Sequence, residues 1–329
     1  MLADSHGRVA TDLRVSLTDR CNLRCGYCMP AEGLDWLPRP YLLTDDEVVR
    51  LVRIGVQLLG ITEVRFTGGE PLLRRGLAAI VRRAAALSPR PKISLTTNGI
   101  GLDRLAGPLR AAGLDRVNVS LDTLRPQTFR ALARRDRLGD VLAGLSAAAA
   151  TGLAPVKVNA VLMRGLNDDE VVPLARYCLE RGYQIRFIEQ MPLDAQHGWS
   201  RDGMVTADEI LAALSAEFSL TPDQPGARGS APAEAFIVDG GPARIGVIGS
   251  VTRPFCGSCD RVRLTADGQV RNCLFATTES DLRGALRSGA SDGEIAELWR
   301  RAVASKLPGH GINDPGFLQP ARPMSAIGG

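Results

Sequence analysis

The chain has 329 residues, 45% of them apolar, and carries a formal net charge of +4 that is almost wholly arginine. That length predicts one large or two modest domains at about 150 residues each. The mild charge, with no run of like sign and no aromatic residues interleaved among basic ones, argues against a nucleic-acid surface. The amino terminus, MLADSHGRVATD, has no apolar core of a signal peptide, and no segment reaches the ~18 uninterrupted apolar residues of a membrane span. A soluble cytoplasmic protein is expected, its seven cysteines being reduced thiols or metal ligands.

A first strand is expected over residues 12–18, and it leads directly into CNLRCGYC. Cys21, Cys25 and Cys28 form a C-x3-C-x2-C run with no fourth cysteine beside it. A structural zinc site is closed by four side chains, and a cubane iron-sulfur cluster has four irons to ligate. Three thiolates leave one metal position open for a substrate or cofactor. The spacing alone leaves zinc and iron both open.

Thr44 with Glu47 marks a helix start of the capping-box type, as Thr206 with Glu209 does later. Further strands are expected over 63–67, 92–97, 116–121, 155–162 and 184–189, each followed by a helical pattern. Alternating strands and helices mean parallel βα units. The second strand leaves into Thr67-Gly68-Gly69-Glu70-Pro71, where paired glycines let backbone approach a ligand closely. The seventh cysteine, Cys178, falls on the helical run after Asp168 and reads as an inert core residue.

In each of these six strands one face is polar: Arg14, Ser16 and Thr18; Arg65 and Thr67; Ser94, Thr96 and Asn98; Asn118, Ser120 and Asp122; Lys157 and Asn159; Gln184 and Arg186. The opposite faces are apolar and need helices over them. A closed eight-stranded barrel fills its interior with bulky apolar side chains. The expected object is therefore an α/β fold, an incomplete (βα)6 TIM-like barrel with a wet cavity, and not the closed form. Arg14, Arg65, Lys157 and Arg186 then share one lumen, which suits an anion such as a polyphosphate.

From residue 221 the pattern breaks in a Pro, Gly and Ala-rich stretch, TPDQPGARGSAPAE. The division expected is a barrel over 1–220 and a smaller α+β region over 221–329. That region holds a second set of three thiols, Cys256, Cys259 and Cys273, with zinc and iron-sulfur again both open. Arg261 and Arg263 lie just past Cys259 at strand spacing, so both point one way and suit a phosphate or purine.

Together, LRVSLTDRCNLRCGYCMP, TGGEP, TTNG at 96–99, VNVSLDT, VKVN, RFIEQMP, CGSCDRVR with Cys273, and the closing RPMSAIGG resemble the radical-SAM GTP 3',8-cyclases of molybdenum cofactor biosynthesis, the MoaA family. The resemblance runs in order over nearly the whole chain; only the stretch 221–235 matches poorly. It implies a radical-SAM barrel in which Cys21, Cys25 and Cys28 hold one [4Fe-4S] cluster with S-adenosylmethionine on its open iron. Tyr27, Gly69, Ser120 and Met191 would contact S-adenosylmethionine. Cys256, Cys259 and Cys273 would hold a second [4Fe-4S] cluster, its open iron toward the guanine of GTP. Arg14, Arg65, Thr96, Lys157, Arg261, Val262 and Arg263 match GTP-binding positions, with Arg186 as a phosphate neighbour.

Among these, Arg14, Arg261 and Arg263, with the tail residues Gly328 and Gly329 that reach into the active site in this family, are the implied catalytic set. The implied reaction takes hydrogen from the ribose 3' carbon, which then attacks purine C8 to give 3',8-cyclo-7,8-dihydro-GTP. It draws on an external one-electron donor and involves neither nucleic acid nor membrane; a homodimer stays open. The competing readings are another radical-SAM enzyme with an auxiliary cluster and a zinc-stabilised nucleotide-binding protein.

Overall fold

The computed structural model describes residues 1–223 and 228–328. The six expected strands form as β1 (Asp12–Ser16), β2 (Glu63–Thr67), β3 (Lys92–Thr97), β4 (Arg116–Ser120), β5 (Lys157–Leu162) and β6 (Gln184–Glu189). Each pairs in parallel with the next, Arg14 opposite Arg65, Thr96 opposite Asn118 and Asn159 opposite Arg186. Parallel partners in register share a face, so the polar rows line up across the sheet. On the other face Leu13, Val64, Leu95, Val117, Val158 and Phe187 are fully buried in one core with the helices.

The sheet does not end at six strands. Two strands from beyond residue 220, β7 (Arg244–Ile248) and β8 (Arg261–Leu264), also run parallel, β7 against β6 and β8 against β1. The spatial order is β8-β1-β2-β3-β4-β5-β6-β7, extended by short antiparallel strands at both ends. The carboxyl region therefore supplies both edges of the sheet. Sequence periodicity misses this because Arg244–Ile248 reads as a generic apolar run, and its partner strand is decided by closure.

Arg186 of β6 and Arg261 of β8 line one cavity although five strands lie between their strands. The sheet must curl to bring them together, as an incomplete barrel does.

Both expected capping boxes are present, and a third, Ser291 with Glu294, starts the helix Asp292–Ala304. A small separate core of Leu193, Met204, Val251, Phe275, Ile312 and Ile327 seats the carboxyl-terminal tail. Among the described residues, no helix is long and apolar enough to cross a membrane.

Candidate functional site

The first cysteine run leaves the carboxyl end of β1 and is pinned from two sides. Arg24 N–H and Gly26 N–H donate to the carbonyls of Ala133 and Leu132 (3.0 and 3.1 Å), at the end of the helix Pro126–Ala133. On the other side Gly69 N–H donates to Thr18 O and Glu70 N–H to Arg20 O (2.6 and 2.8 Å). A Cβ on Gly69 would lie 2.4 Å from the carbonyl oxygens of Asp19 and Arg20. The Gly-Gly turn is thus required by the backbone of the cysteine loop itself, a closer partner than the ligand that the sequence suggested.

Cys21, Cys25 and Cys28 are unpaired and half-buried. Burial pushes the Cys21 thiol up to about 11 and the Cys28 thiol to about 12, and raises Cys25 well above its ordinary value. Such thiols ionise when a metal takes the proton's place, so the set suits an iron ligand role. Cys21 Sγ accepts from Leu23 N–H (3.4 Å) and from Asn98 Nδ2 (3.8 Å). Asn98 is in turn held by Glu70, whose fully buried carboxylate accepts from Asn98 N–H, Leu72 N–H and the Thr97 hydroxyl. Burial, opposed by these donors, lifts Glu70 to about 7. Tyr27 donates its hydroxyl to Asp122 (2.7 Å), which also accepts from Val161 N–H.

Cys256 opens a one-turn 3-10 segment (Cys256–Ser258) just before β8, Cys259 follows that turn in extended conformation, and Cys273 follows the strand Gln269–Arg271. All three line a cavity of about 180 Å³ together with Arg14, Arg65, Arg186, Arg261, Arg263 and Thr96. Met191 also reaches this lining. Burial alone would raise Cys259, but Arg261 and Lys306 draw it down to about 7. Val262, between the two arginines, is fully buried in the opposite, apolar core. The alternation of a strand explains it: only the backbone of Val262 is left for a ligand. Lys157 and Ser120 lie on the lumen face of β5 and β4 but outside this lining.

Five arginines converge where four cations were expected from the barrel strands. Among the described residues, buried Nε atoms of Arg14, Arg65 and Arg186 and a terminal nitrogen of Arg261 have no hydrogen-bond partner. Asp12 is the buried counter-ion, 3.8 Å from both Arg14 and Arg65. It stands two residues before Arg14 on the same strand face, so period-2 spacing could have found it.

The tail closes the arrangement. Arg322 pairs with Asp267 (2.8 Å) and Glu279 (2.9 Å), Gln319 donates to Asp194 O, and Met324 N–H to Leu193 O. Ser325 then lies beside Cys28 of the first set and opposes the effect of burial on its thiol, although its own buried hydroxyl makes no hydrogen bond among the described residues. Gly328 packs on Ser16 and Thr67, and its carbonyl accepts from the Arg263 guanidinium. The tail so lies between the two cysteine sets, with Ser325 beside Cys28 and Met324 in the cavity lining with Cys256, Cys259 and Cys273; Gly329 lies outside the described residues. Glu70, Asn98, Asp122, Ser325, Lys306 and Arg322 were not singled out as site residues from sequence, because each acts on a partner that only folding brings near. Cys178 is fully buried, as expected.

Two family models match: Radical SAM superfamily over residues 15–178 and Molybdenum Cofactor Synthesis C over residues 183–312. A GTP 3',8-cyclase of Streptomyces coelicolor is 69% identical, covering all of this chain and 96% of the relative. One from Mycobacterium marinum is 63% identical, covering all of this chain and 92% of the relative. Among solved structures, Streptococcus suis SuiB aligns with a TM-score of 0.60 at 12% identity, covering 93% of this chain and 68% of SuiB; that likeness concerns the fold alone. On its sequence relatives, the chain belongs to the GTP 3',8-cyclase family of radical SAM enzymes.

Proposed function

We propose that this chain converts GTP to (8S)-3',8-cyclo-7,8-dihydroguanosine 5'-triphosphate, the first step of molybdenum cofactor biosynthesis. The reading is carried by one observation: three unpaired cysteines line a cavity with five arginines and several unpartnered guanidinium nitrogens, and the tail over that cavity passes beside Cys28 of a second unpaired set. Among the described residues no three Cys, His, Asp or Glu side chains converge on a position for a single metal ion.

Residues 1–220 would hold the first [4Fe-4S] cluster and S-adenosylmethionine, and residues 221–329 a second cluster. When bound, the first cluster and S-adenosylmethionine supply, with an external electron, the radical that takes the ribose 3' hydrogen. The chain's own residues do the rest. Arg14, Arg65 and Arg186 hold the triphosphate, bidentate donors being suited to phosphate oxygens. Arg261, Arg263 and the backbone of Val262 orient the nucleoside beside Cys256, Cys259 and Cys273. The tail covers the cavity and excludes water while C3' bonds to C8. Tyr27, tied to Asp122, together with Gly69, Ser120 and Met191 forms the S-adenosylmethionine contacts. A cytoplasmic location accords with seven unpaired thiols.

The deciding experiment is an anaerobic assay of reconstituted protein with GTP, S-adenosylmethionine and a strong reductant, read by product mass. The cyclised nucleotide is expected, from protein carrying about eight irons and eight sulfides. Formation of 5'-deoxyadenosine with GTP unchanged would reject the substrate; colourless protein with zinc would reject the enzyme.

Lys157 allows a second check. Burial, with Arg186, Arg116 and Arg65 adding repulsion, presses its ammonium down to about 7. A bound triphosphate favours the charged form, so binding above pH 7 takes up a proton and affinity falls as pH rises, by as much as about tenfold per unit. Calorimetry at about pH 8 in two buffers of different ionisation enthalpy should show this uptake, and Lys157→Met should lose it. Buffer-independent heats in the unmutated protein would place Lys157 outside the site.

A further inference from the structure

Lys306 follows the helix Asp292–Ala304 and is only 4% exposed, a rare setting for lysine. Its ammonium donates to the carbonyls of Cys259 (3.1 Å) and Arg261 (3.0 Å) and to the Cys259 sulfur (3.4 Å). Among the described residues it forms no ion pair with a carboxylate. A buried cation needs an anion, and the sulfur of Cys259 is the partner its geometry provides.

The surrounding segment is built to hold this contact. Four residues on, the backbone of His310 lies close enough to Cys256 to oppose the effect of burial on its thiol. The His310 ring is occupied on both sides, by Ser250 O (3.0 Å) and Ile312 N–H (3.1 Å), which fixes the loop between residues 306 and 312. Among the described residues no charged donor reaches a sulfur of the first cysteine set: Cys21 Sγ receives an amide N–H and a carboxamide, both neutral, and the Arg24 guanidinium donates to the Cys21 carbonyl instead. Two sets with the same number of thiolates therefore sit in different electrostatic surroundings.

We propose that Lys306 sets the reduction potential of the second cluster through its charged hydrogen bond to the Cys259 sulfur. This rests on the reading of Cys256, Cys259 and Cys273 as cluster ligands. Reduction adds negative charge to a cluster, and a donor with full positive charge at a ligand sulfur stabilises that state and raises the potential. Lys306 touches neither nucleotide nor reacting atoms in this account; it is a positioning and tuning residue.

The test is an EPR-monitored redox titration of anaerobically reconstituted Lys306→Gln and Lys306→Arg beside the unmutated chain. Glutamine keeps a donor without charge, and arginine keeps the charge. In Lys306→Gln the second cluster's midpoint is expected to move to more negative potential while the first cluster's stays. In Lys306→Arg it should return toward the original value. Both variants titrating like the unmutated protein would overturn the proposal.

Should Lys306→Gln not accumulate, the unmutated chain can be labelled with ¹⁵Nζ-lysine, since only Lys92, Lys157 and Lys306 are present. Pulsed EPR of the reduced second cluster should then show a ¹⁵N coupling that persists in Lys157→Met, and its absence there would equally overturn the proposal. Failure of the cluster reading is separate: the unmutated protein would hold only about four irons before Lys306 is tested at all.

Discussion

Gly328→Val should abolish cyclisation while both clusters stay bound. Gly328 has φ of +90°, a left-handed backbone that valine avoids. An added Cβ would lie 2.9 Å from Thr67 Cγ2 and 3.0 Å from Ser16 Cβ, on two central strands with no room to retreat. The tail must therefore lift, and the hydrogen bond from Arg263 to its carbonyl goes with it. Displacement of a positioning group by about 1 Å can cost on the order of 100-fold, and loss of the whole contact should cost at least that. The measurements are cyclised nucleotide by mass and iron content by colorimetry. Deleting Gly328 and Gly329 together should give the same result, with 5'-deoxyadenosine still formed. Turnover near the original rate in either variant would mean the tail is a passenger.

Asp12→Ala should give the largest loss of stability. The carboxylate sits between Arg14 and Arg65, with all three side chains nearly buried. Burial works against its charge, but Arg14, Arg65, Arg261 and Arg263 hold its carboxyl below the usual carboxylate range. Removing it leaves a cluster of arginines without a buried anion, a change that typically costs ~3 kcal/mol or more. Anaerobic thermal melts should show a clear fall in Tm. Inorganic tripolyphosphate should then raise Tm more in Asp12→Ala than in the unmutated protein, since a ligand that binds only the folded state stabilises it. Equal melting of the two proteins would mean the lumen is wet enough to screen its own cations.

The polar faces of the first six strands were legible because strand side chains alternate and the apolar faces had to be covered by helices. Both cysteine sets were legible from spacing, and the two capping boxes from their Thr-x-x-Glu strings. Asp12 was within reach of the same pattern. Val262 illustrates the limit of a motif: its position is marked in CGSCDRVR, yet its side chain faces the core and leaves only backbone for a ligand.

Local rules, with a period of two in strands, capping chemistry at helix starts and fixed intervals between thiols, determined the six central strands and the two cysteine sets from sequence alone. Only the tertiary structure decided that β7 and β8 join opposite edges of one sheet. It alone set Gly328 against Arg263 across 65 residues and Lys306 against Cys259 across 47. Those contacts depend on how the sheet curls and where the chain returns, which arises from burial summed over the whole core. A buried ammonium beside a thiol has no signature in a string of residues, because what makes it informative is the absence of water around it.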